Sequence, residues 1–187
     1  MNKLFSVGLL ALVGIAPVLA FGQVRADDAF KSAFLQQINT KRAQGCKCGT
    51  LYMPPVAPLT WNDLLENAAS AHARDMGEHN YFSHESRDGR TSNQRIMAAG
   101  YNYNGYRSFA VGENIAFGQD NIDEVMRGWF KSKGHCENLM NPDFKEVGVA
   151  QYGQYWVQDF GGRVPFSDEQ QRMIKSGRMK IKRKEIY

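Results

Sequence analysis

Several features that mark specialised protein classes are missing from this chain of 187 residues. Its net charge is only +4, far below the dense positive surface of a duplex-binding domain, so nucleic acid is not expected as a partner. The chain has no His-x-x-x-His pair, no nucleophile elbow and no ordered Ser, His and Asp set. With 43% hydrophobic and 22% charged residues it has enough apolar surface for a folded protein, and its length predicts one domain.

The apolar run Leu4–Ala16 is shorter than the about twenty residues that a membrane span needs. It follows Lys3 and precedes small residues, so residues 1–20 are predicted to be a signal peptide. Cleavage is expected after Ala20, with Ala26 as the second choice, and a retained anchor is the alternative. No cysteine follows the run closely, which argues against a lipoprotein. The protein is therefore expected to be secreted, extracellular or periplasmic, without a transmembrane anchor once the signal is cleaved.

Cysteine is scarce, with three residues at positions 46, 48 and 136. In an exported protein, a disulfide is expected. A bond between Cys46 and Cys48 would close a very small ring, whereas a bond from either of them to Cys136 restricts the unfolded chain far more. A zinc site of three cysteines is the rival, but thiolate zinc sites usually use Cys-x-x-Cys pairs. A long-range bond to Cys136 is therefore favoured, with one thiol left over.

Apolar spacing predicts helices in four segments and strands in two. The helices are expected at residues 28–40, from Thr60 or Asn62 to about His79, at 92–99, and from Ile122 to near Gly134, with an irregular connection at 43–58 and helices and loops filling the middle. The strands, Val147–Tyr152 and Tyr155–Phe160, are expected to form a hairpin. Helices followed by antiparallel strands indicate an α+β domain with helices packed on a sheet.

The C-terminal segment 163–187 differs in charge from the rest of the chain. It has eight basic and three acidic residues, a net of +5, while residues 21–162 have fourteen and sixteen, a net of −2. The favoured interpretation of this tail is a solvated, frayed helix. The alternative is that the cluster of Lys180, Lys182, Arg183 and Lys184 contacts an anionic surface such as lipid head groups or cell-wall polymer.

Three residues are candidates for a functional site. His84 precedes the turn-rich segment 87–90, Glu113 stands in Gly112-Glu113-Asn114, and His135 precedes Cys136. Two imidazoles and a carboxylate suffice for a catalytic zinc with an open position. His72 falls on an apolar helix face, so it is predicted to be a hydrogen-bonded core residue.

Several ordered motifs between about residues 30 and 162 resemble the CAP superfamily, which covers cysteine-rich secretory proteins, antigen 5 and plant pathogenesis-related protein 1, and most of all its bacterial secreted branch with a single SCP-like domain. The motifs are Leu59-x-Trp61, Ala68-Ala69-x-x-His72-Ala73-x-Asp75-Met76, Tyr81-Phe82-Ser83-His84, Asp88-Gly89-Arg90, Ala99-Gly100-Tyr101, Gly112-Glu113-Asn114-Ile115-Ala116, Trp129-x-x-Ser132-x-Gly134-His135-Cys136-x-Asn138-Leu139-Met140, Gly148-Val149 and Tyr155-Trp156-Val157-Gln158-Asp159-Phe160.

The resemblance implies a domain at residues 28–162 with a three-layer α-β-α sandwich around a central, mainly antiparallel sheet. It also implies a cleft in which two His and two Glu can hold zinc or another divalent metal. His84, Glu113 and His135 match three of these positions. The second glutamate is replaced by Gly128, and Glu124 lies one helical turn earlier, so no cofactor is certain.

The same resemblance implies a disulfide between Cys48 and Cys136, which leaves Cys46 unmatched. It favours a secreted, non-enzymatic binding module for a lipid, sterol or protein ligand. The aromatic residues Tyr101, Tyr103, Tyr106 and Phe109 either supply contact surface for that ligand or pack in the core. The alternative function is a metal-dependent hydrolase that uses the His and Glu cleft.

Overall fold

The computed structural model describes residues 27–181, and these residues form six helices and six strands. They are α1 Asp28–Gln44, β1 Cys46–Cys48, β2 Leu51–Met53, β3 Thr60–Trp61, α2 Asp63–His79, α3 Ser92–Ala98, β4 Tyr106–Phe117, α4 Ile122–Lys131, α5 Lys133–Leu139, β5 Glu146–Tyr152, β6 Tyr155–Pro165 and α6 Asp168–Lys175. The predicted signal peptide and both of its cleavage sites lie outside the described residues.

The long helices α1 and α2 begin and end at residues that satisfy their free backbone groups. Asp27 accepts the amide of Phe30 at the start of α1, and Asn62 accepts the amides of Leu64 and Leu65 at the start of α2. Asn80 ends α2 in the left-handed conformation at φ 53°. The predicted end of this helix at His79 is confirmed.

A four-stranded sheet in the order β3-β5-β6-β4 forms the middle of the domain. The strands β5 and β6 pair antiparallel from Glu146 opposite Gly161 to Tyr152 opposite Tyr155, which confirms the predicted hairpin. The strand β4 pairs antiparallel along β6, and the two-residue strand β3 pairs parallel with β5. The sheet is therefore mainly antiparallel.

Helices cover both faces of this sheet. On one face, Phe34 and Ile38 of α1 and Trp129 of α4 pack with Trp156 and Phe160 of β6. On the other face, the apolar sides of α2 and α3 pack in two clusters. One cluster contains Ala69, Ala73, Met76, Ile115 and Val157, and the other contains Leu65, Ala68, Ile96 and Tyr101. The predicted three-layer α-β-α sandwich is confirmed.

The helix α2 approaches β5 so closely that the strand needs a glycine at the contact. A Cβ atom on Gly148 would overlap the backbone of Leu65 and Glu66. Because backbone cannot move aside as a flexible side chain can, any larger residue at position 148 would push α2 off the sheet. This contact fixes the start of α2 against the sheet.

The prediction of helices and loops throughout the middle of the chain is wrong for β4. Residues 106–117 form a twelve-residue strand, although polar Glu113 and Asn114 interrupt its apolar pattern. Both polar side chains are buried and find partners inside the domain. Their burial hides the alternation by which strands are recognised in a sequence.

Two smaller corrections concern the connections around α1 and α4. The segment predicted as irregular contains the hairpin of β1 and β2, and the helix predicted to reach Gly134 divides into α4 and α5 at Ser132.

Buried Arg42 of α1 donates hydrogen bonds to the carbonyls of Ala57, Leu139 and Phe144, so one guanidinium connects the segments that carry these three residues. Burial lowers the pKa of Arg42 to about 10.

The strand β6 continues to Pro165, three residues past the predicted end of the domain, and Arg163 bonds to Glu146. Beyond it, α6 buries none of its side chains. Of the basic cluster of the tail, only exposed Lys180 lies within the described residues. A search of residues 27–181 found no helix long and apolar enough to cross a bilayer.

Candidate functional site

His84 and Glu113 are held together by a short hydrogen bond. His84 lies in the loop after α2, Glu113 lies on β4, and His84 Nδ1 is 2.7 Å from Glu113 Oε1. The imidazole is 58% exposed, whereas the carboxylate is 1% exposed. Because a carboxylate only accepts, Nδ1–H is the donor, and in the neutral ring Nε2 is then the nitrogen that can accept. The buried carboxylate of Glu113 therefore fixes the orientation of a solvent-accessible imidazole, that of His84.

Arg95 of α3 holds the other side of Glu113. Its Nη2 lies 2.5 Å from Glu113 Oε2, and the two side chains are 5% and 1% exposed. Its Nη1 donates to the carbonyls of His84 and Arg90 and to the Ser86 hydroxyl. One buried guanidinium thus neutralises Glu113 and fixes the loop that carries His84. Sequence reasoning missed Arg95, because one Arg in a short helix has no pattern.

Asp159 of β6 is a second acid inside the same cluster. It is the register partner of Glu113 and is completely buried. Burial, and then the negative charge of Glu113, raise its pKa well above the usual range of an aspartate, although Arg95 opposes this. Burial and the charge of Glu113 thus favour the protonated form of Asp159, while Arg95 balances the charge of Glu113.

The Asp159→Asn variant is expected to gain stability over the wild type as the pH rises. The folded-state pKa of Asp159 is raised, so the wild type loses stability from about pH 4 upward, where the unfolded chain ionises first, by up to about 1.4 kcal/mol per pH unit. The variant lacks this titration. Urea unfolding at pH 4 and pH 7 measures the difference, with exposed Asp143→Asn as control. A difference that is equal at both pH values would contradict a raised pKa of Asp159.

His135 lies on α5, which packs beside β4. Its carbonyl accepts from Asn114 Nδ2 at 3.3 Å. Burial and then the positive charge of His84 lower the pKa of His135. The two imidazoles are thus close enough for their charges to interact.

The donor atoms around these histidines do not make a complete zinc site. Both oxygens of Glu113 are engaged, and the carboxylate is buried. Within residues 27–181, the sulfurs of the three cysteines are the only set of three His, Cys, Asp or Glu donor atoms that lie within 4.8 Å of one another. Two imidazoles are fewer ligands than the three or four that zinc takes from proteins. The assignment of His84, Glu113 and His135 as metal ligands stays a prediction.

Glu124, the nearest substitute for the missing fourth acid, is used elsewhere. Its carboxylate accepts the Asp120 amide and Asn121 Nδ2, each at 3.1 Å, at the start of α4. It therefore caps its own helix.

His72 is a core residue as predicted. Its Nε2–H donates to the Ser83 carbonyl at 2.9 Å, and burial lowers the pKa of the His72 imidazole.

A disulfide joins Cys48 and Cys136, the pairing that the family resemblance implied, and Cys46 is free. It connects β1 to α5 across a sequence separation of 88 residues. Since Cys136 follows His135, the bond holds the backbone of the second candidate histidine. The three sulfurs include this disulfide, so they are not three free thiolates.

Phe82, Phe117 and Tyr155 form an aromatic patch beside His84. The rings of Phe82 and Phe117 are 52% and 48% exposed, with centroids 6.3 Å apart, and the Phe117 and Tyr155 centroids lie 4.7 Å apart. Phe117 stands on the same face of β4 as Glu113, four residues further along the strand. The patch therefore continues from the His84–Glu113 pair along the end of the sheet.

The aromatic loop, for which the sequence left contact surface and core packing as alternatives, contributes two of its rings to the core. Tyr101 is fully buried, donates to Glu146 and packs on Phe109 at 5.8 Å. The core alternative holds for these two rings. The exposed surface is the aromatic patch, whose members are far apart in the sequence.

Comparisons with known proteins give one family. The model of the cysteine-rich secretory protein family, CAP, matches residues 35–160. The uncharacterized protein YkwD of Bacillus subtilis is 35% identical over 108 residues, which cover 57% of this chain and 40% of that protein. The uncharacterized membrane protein YlbC of the same organism is 31% identical over 105 residues, which cover 56% and 29%. The chain spans less than half the length of these curated relatives.

Solved structures share the fold. An extracellular protein containing an SCP domain from Bacillus anthracis is 27% identical with a TM-score of 0.55, and the match covers 70% of this chain and 41% of that one. An outer surface protein from Borrelia burgdorferi has a TM-score of 0.58 at 23% identity, and the match covers 71% and 91%. The second likeness supports the fold alone.

Proposed function

We propose a function from one premise: this chain belongs to the CAP family of cysteine-rich secretory proteins. The domain is a non-enzymatic binding module that acts at the cell envelope or outside the cell. Three observations support this location, namely the signal-like residues 1–20, the Cys48–Cys136 disulfide, and the extracellular description of the matched Bacillus anthracis structure.

The observation that carries the proposal is the aromatic patch beside His84. Two phenylalanine rings in contact with each other are about half exposed, and exposed apolar clusters of this kind mark binding surfaces. The ligand has an apolar body, as a lipid or sterol has, because flat aromatic rings bury aliphatic and ring carbon with little loss of side-chain entropy.

The pair of His84 and Glu113 gives the polar end of this surface. In the neutral ring, Nε2 of His84 can accept a hydrogen bond, and the hydrogen bond from Nδ1–H to Glu113 keeps the ring in one orientation. A hydroxyl or protonated head group next to an apolar body satisfies both parts of the surface. The basic tail, if it meets an anionic membrane, brings the domain to the lipid that it binds.

A metal-dependent hydrolase is the second candidate, and one observation favours it. A histidine oriented by a buried carboxylate is the arrangement of a general base. Against this, Arg95 neutralises the carboxylate, and Gly128 replaces the fourth acid of the family cleft. The binding module is therefore the better supported function.

Loss of the aromatic patch is expected to weaken lipid binding about three- to tenfold for each ring. Full burial of an aromatic side chain contributes about 1.5–3 kcal/mol. Covering the exposed half of each ring therefore contributes about 0.75–1.5 kcal/mol, and 1.4 kcal/mol is a factor of ten in affinity. The measurement is a titration of the mature protein with a fluorescent sterol and a fluorescent fatty acid. The variants are Phe82→Ser and Phe117→Ser.

The matched control is Leu51→Ser, because Leu51 is also half exposed but lies on the separate hairpin of β1 and β2. Binding of neither probe, or equal weakening by the control, would contradict the proposal. Ester or peptide turnover that needs zinc and disappears in His84→Ala would support the hydrolase instead.

A further inference from the structure

The free thiol of Cys46 touches the disulfide of the domain. Its Sγ lies 3.8 Å from the Sγ of Cys136, and the sulfurs of Cys46, Cys48 and Cys136 all lie within 4.8 Å of one another. Cys46 and Cys48 stand two residues apart on the strand β1, so both side chains point to the same face and toward α5. Two cysteines of one strand therefore share one partner on a helix.

We propose that Cys136 exchanges its disulfide partner between Cys48 and Cys46, so that the domain has two disulfide isomers. The Cys46 thiolate attacks the Sγ of Cys136. The bond between Cys46 and Cys136 forms, the bond between Cys48 and Cys136 breaks, and Cys48 leaves as a thiolate that takes up the proton lost from Cys46. The step is a rearrangement within the chain, and it requires no oxidant or reductant.

Chain entropy does not choose between the isomers. The present bond spans 88 residues and the alternative spans 90, and closure entropy depends only on the logarithm of loop length. Local packing therefore decides the ratio. In the structure, Cys48 and Cys136 are fully buried with Met140, and Cys46 is partly exposed at the border of the same cluster. This packing favours the observed isomer at rest.

Exchange would move the disulfide from a buried to a partly exposed position. In the observed isomer, the accessible sulfur is a thiol and both bonded sulfurs are out of reach of solvent. In the second isomer, one bonded sulfur is that of partly exposed Cys46, where an external thiol can attack it. Burial raises the pKa of Cys46, although Lys41 opposes this, so the thiol is held mainly protonated and the exchange is slow.

The experiment follows the free thiol of the oxidised mature protein. The protein is held at about pH 8, where thiolate is available, then acidified, and its free thiol is labelled before peptide mapping without reduction. We expect the label on Cys46 at first and on both Cys46 and Cys48 later, at a rate independent of protein concentration. Label that stays on Cys46 alone would overturn the proposal.

Two variants test whether Cys46 reaches Cys136. Cys48→Ser is expected to form a Cys46–Cys136 disulfide on oxidation and to remain folded, as judged by circular dichroism. In Cys46→Ser, the control, only the Cys48–Cys136 bond is expected, and no label should appear on position 48. Folded Cys48→Ser protein that keeps two free thiols after oxidation would also overturn the proposal.

Discussion

The Cys136→Ala variant is expected to lose about 4–5 kcal/mol of unfolding free energy. The disulfide from Cys136 to Cys48 closes a loop with a separation of 88 residues, and in the chain-entropy model a loop of that length stabilises the fold by about this amount. Both sulfurs are fully buried, so the variant also loses packing between β1 and α5. A loss of this size is a large part of the 5–15 kcal/mol that is typical of a domain.

Urea unfolding of the oxidised proteins measures this loss. The matched control is Cys46→Ala, which removes the free thiol, keeps the bond and should change stability by less than about 1 kcal/mol. Cys48→Ala separates two effects, because exchange onto Cys46 would return part of the lost stability. A loss below about 1 kcal/mol in Cys136→Ala would contradict a structural role for the bond.

The Arg95→Met variant is expected to lose about 3–5 kcal/mol, which is typical when one partner of a buried ion pair is removed. The change leaves Glu113 as an unpaired charge that is 1% exposed. It also takes donors from the carbonyls of His84 and Arg90. The loop that presents His84 should therefore become mobile, which hydrogen exchange of its amides would detect.

The matched control is Arg90→Met, because the ion pair of Arg90 with Asp88 is half exposed on both sides and should contribute less than about 1 kcal/mol. The double variant Arg95→Met with Glu113→Leu should recover part of the loss, since no unpaired charge is then buried. An equal loss in Arg90→Met, or a double variant less stable than Arg95→Met, would contradict the assigned role of the buried pair.

Local chemistry explains why some elements are predicted well. The capping Asn62 and the apolar spacing from Leu65 to Met76 specify α2 within one stretch of chain. The hairpin of β5 and β6 is likewise specified by alternation around a glycine turn at Gly153. In these segments the residues that determine the structure are neighbours in the sequence, so no knowledge of the rest of the fold is needed.

The candidate site depends on contacts between distant segments, and the sequence shows only part of it. His84 and Glu113 stand out by residue type and by family motif. Arg95 does not, because its role appears only when α3 is placed beside β4. The pairing of Glu113 with Asp159 and of Phe117 with Tyr155 follows from the register of β4 on β6. That register is a tertiary property, since the buried polar residues of β4 conceal its alternation.

The strand β4 lies at the border of the central sheet, where an open backbone can pair with another molecule and begin aggregation. Its carbonyls at Glu113 and Ile115, two residues apart, point away from β6. They accept hydrogen bonds from Asn138 Nδ2 at 3.2 Å and from Trp129 Nε1 at 3.3 Å. Side chains of α4 and α5 thus occupy the positions that a foreign strand would use, and the opposite border is the two-residue strand β3. The same helices that position His135 therefore keep the domain from adding strands of other copies to its sheet.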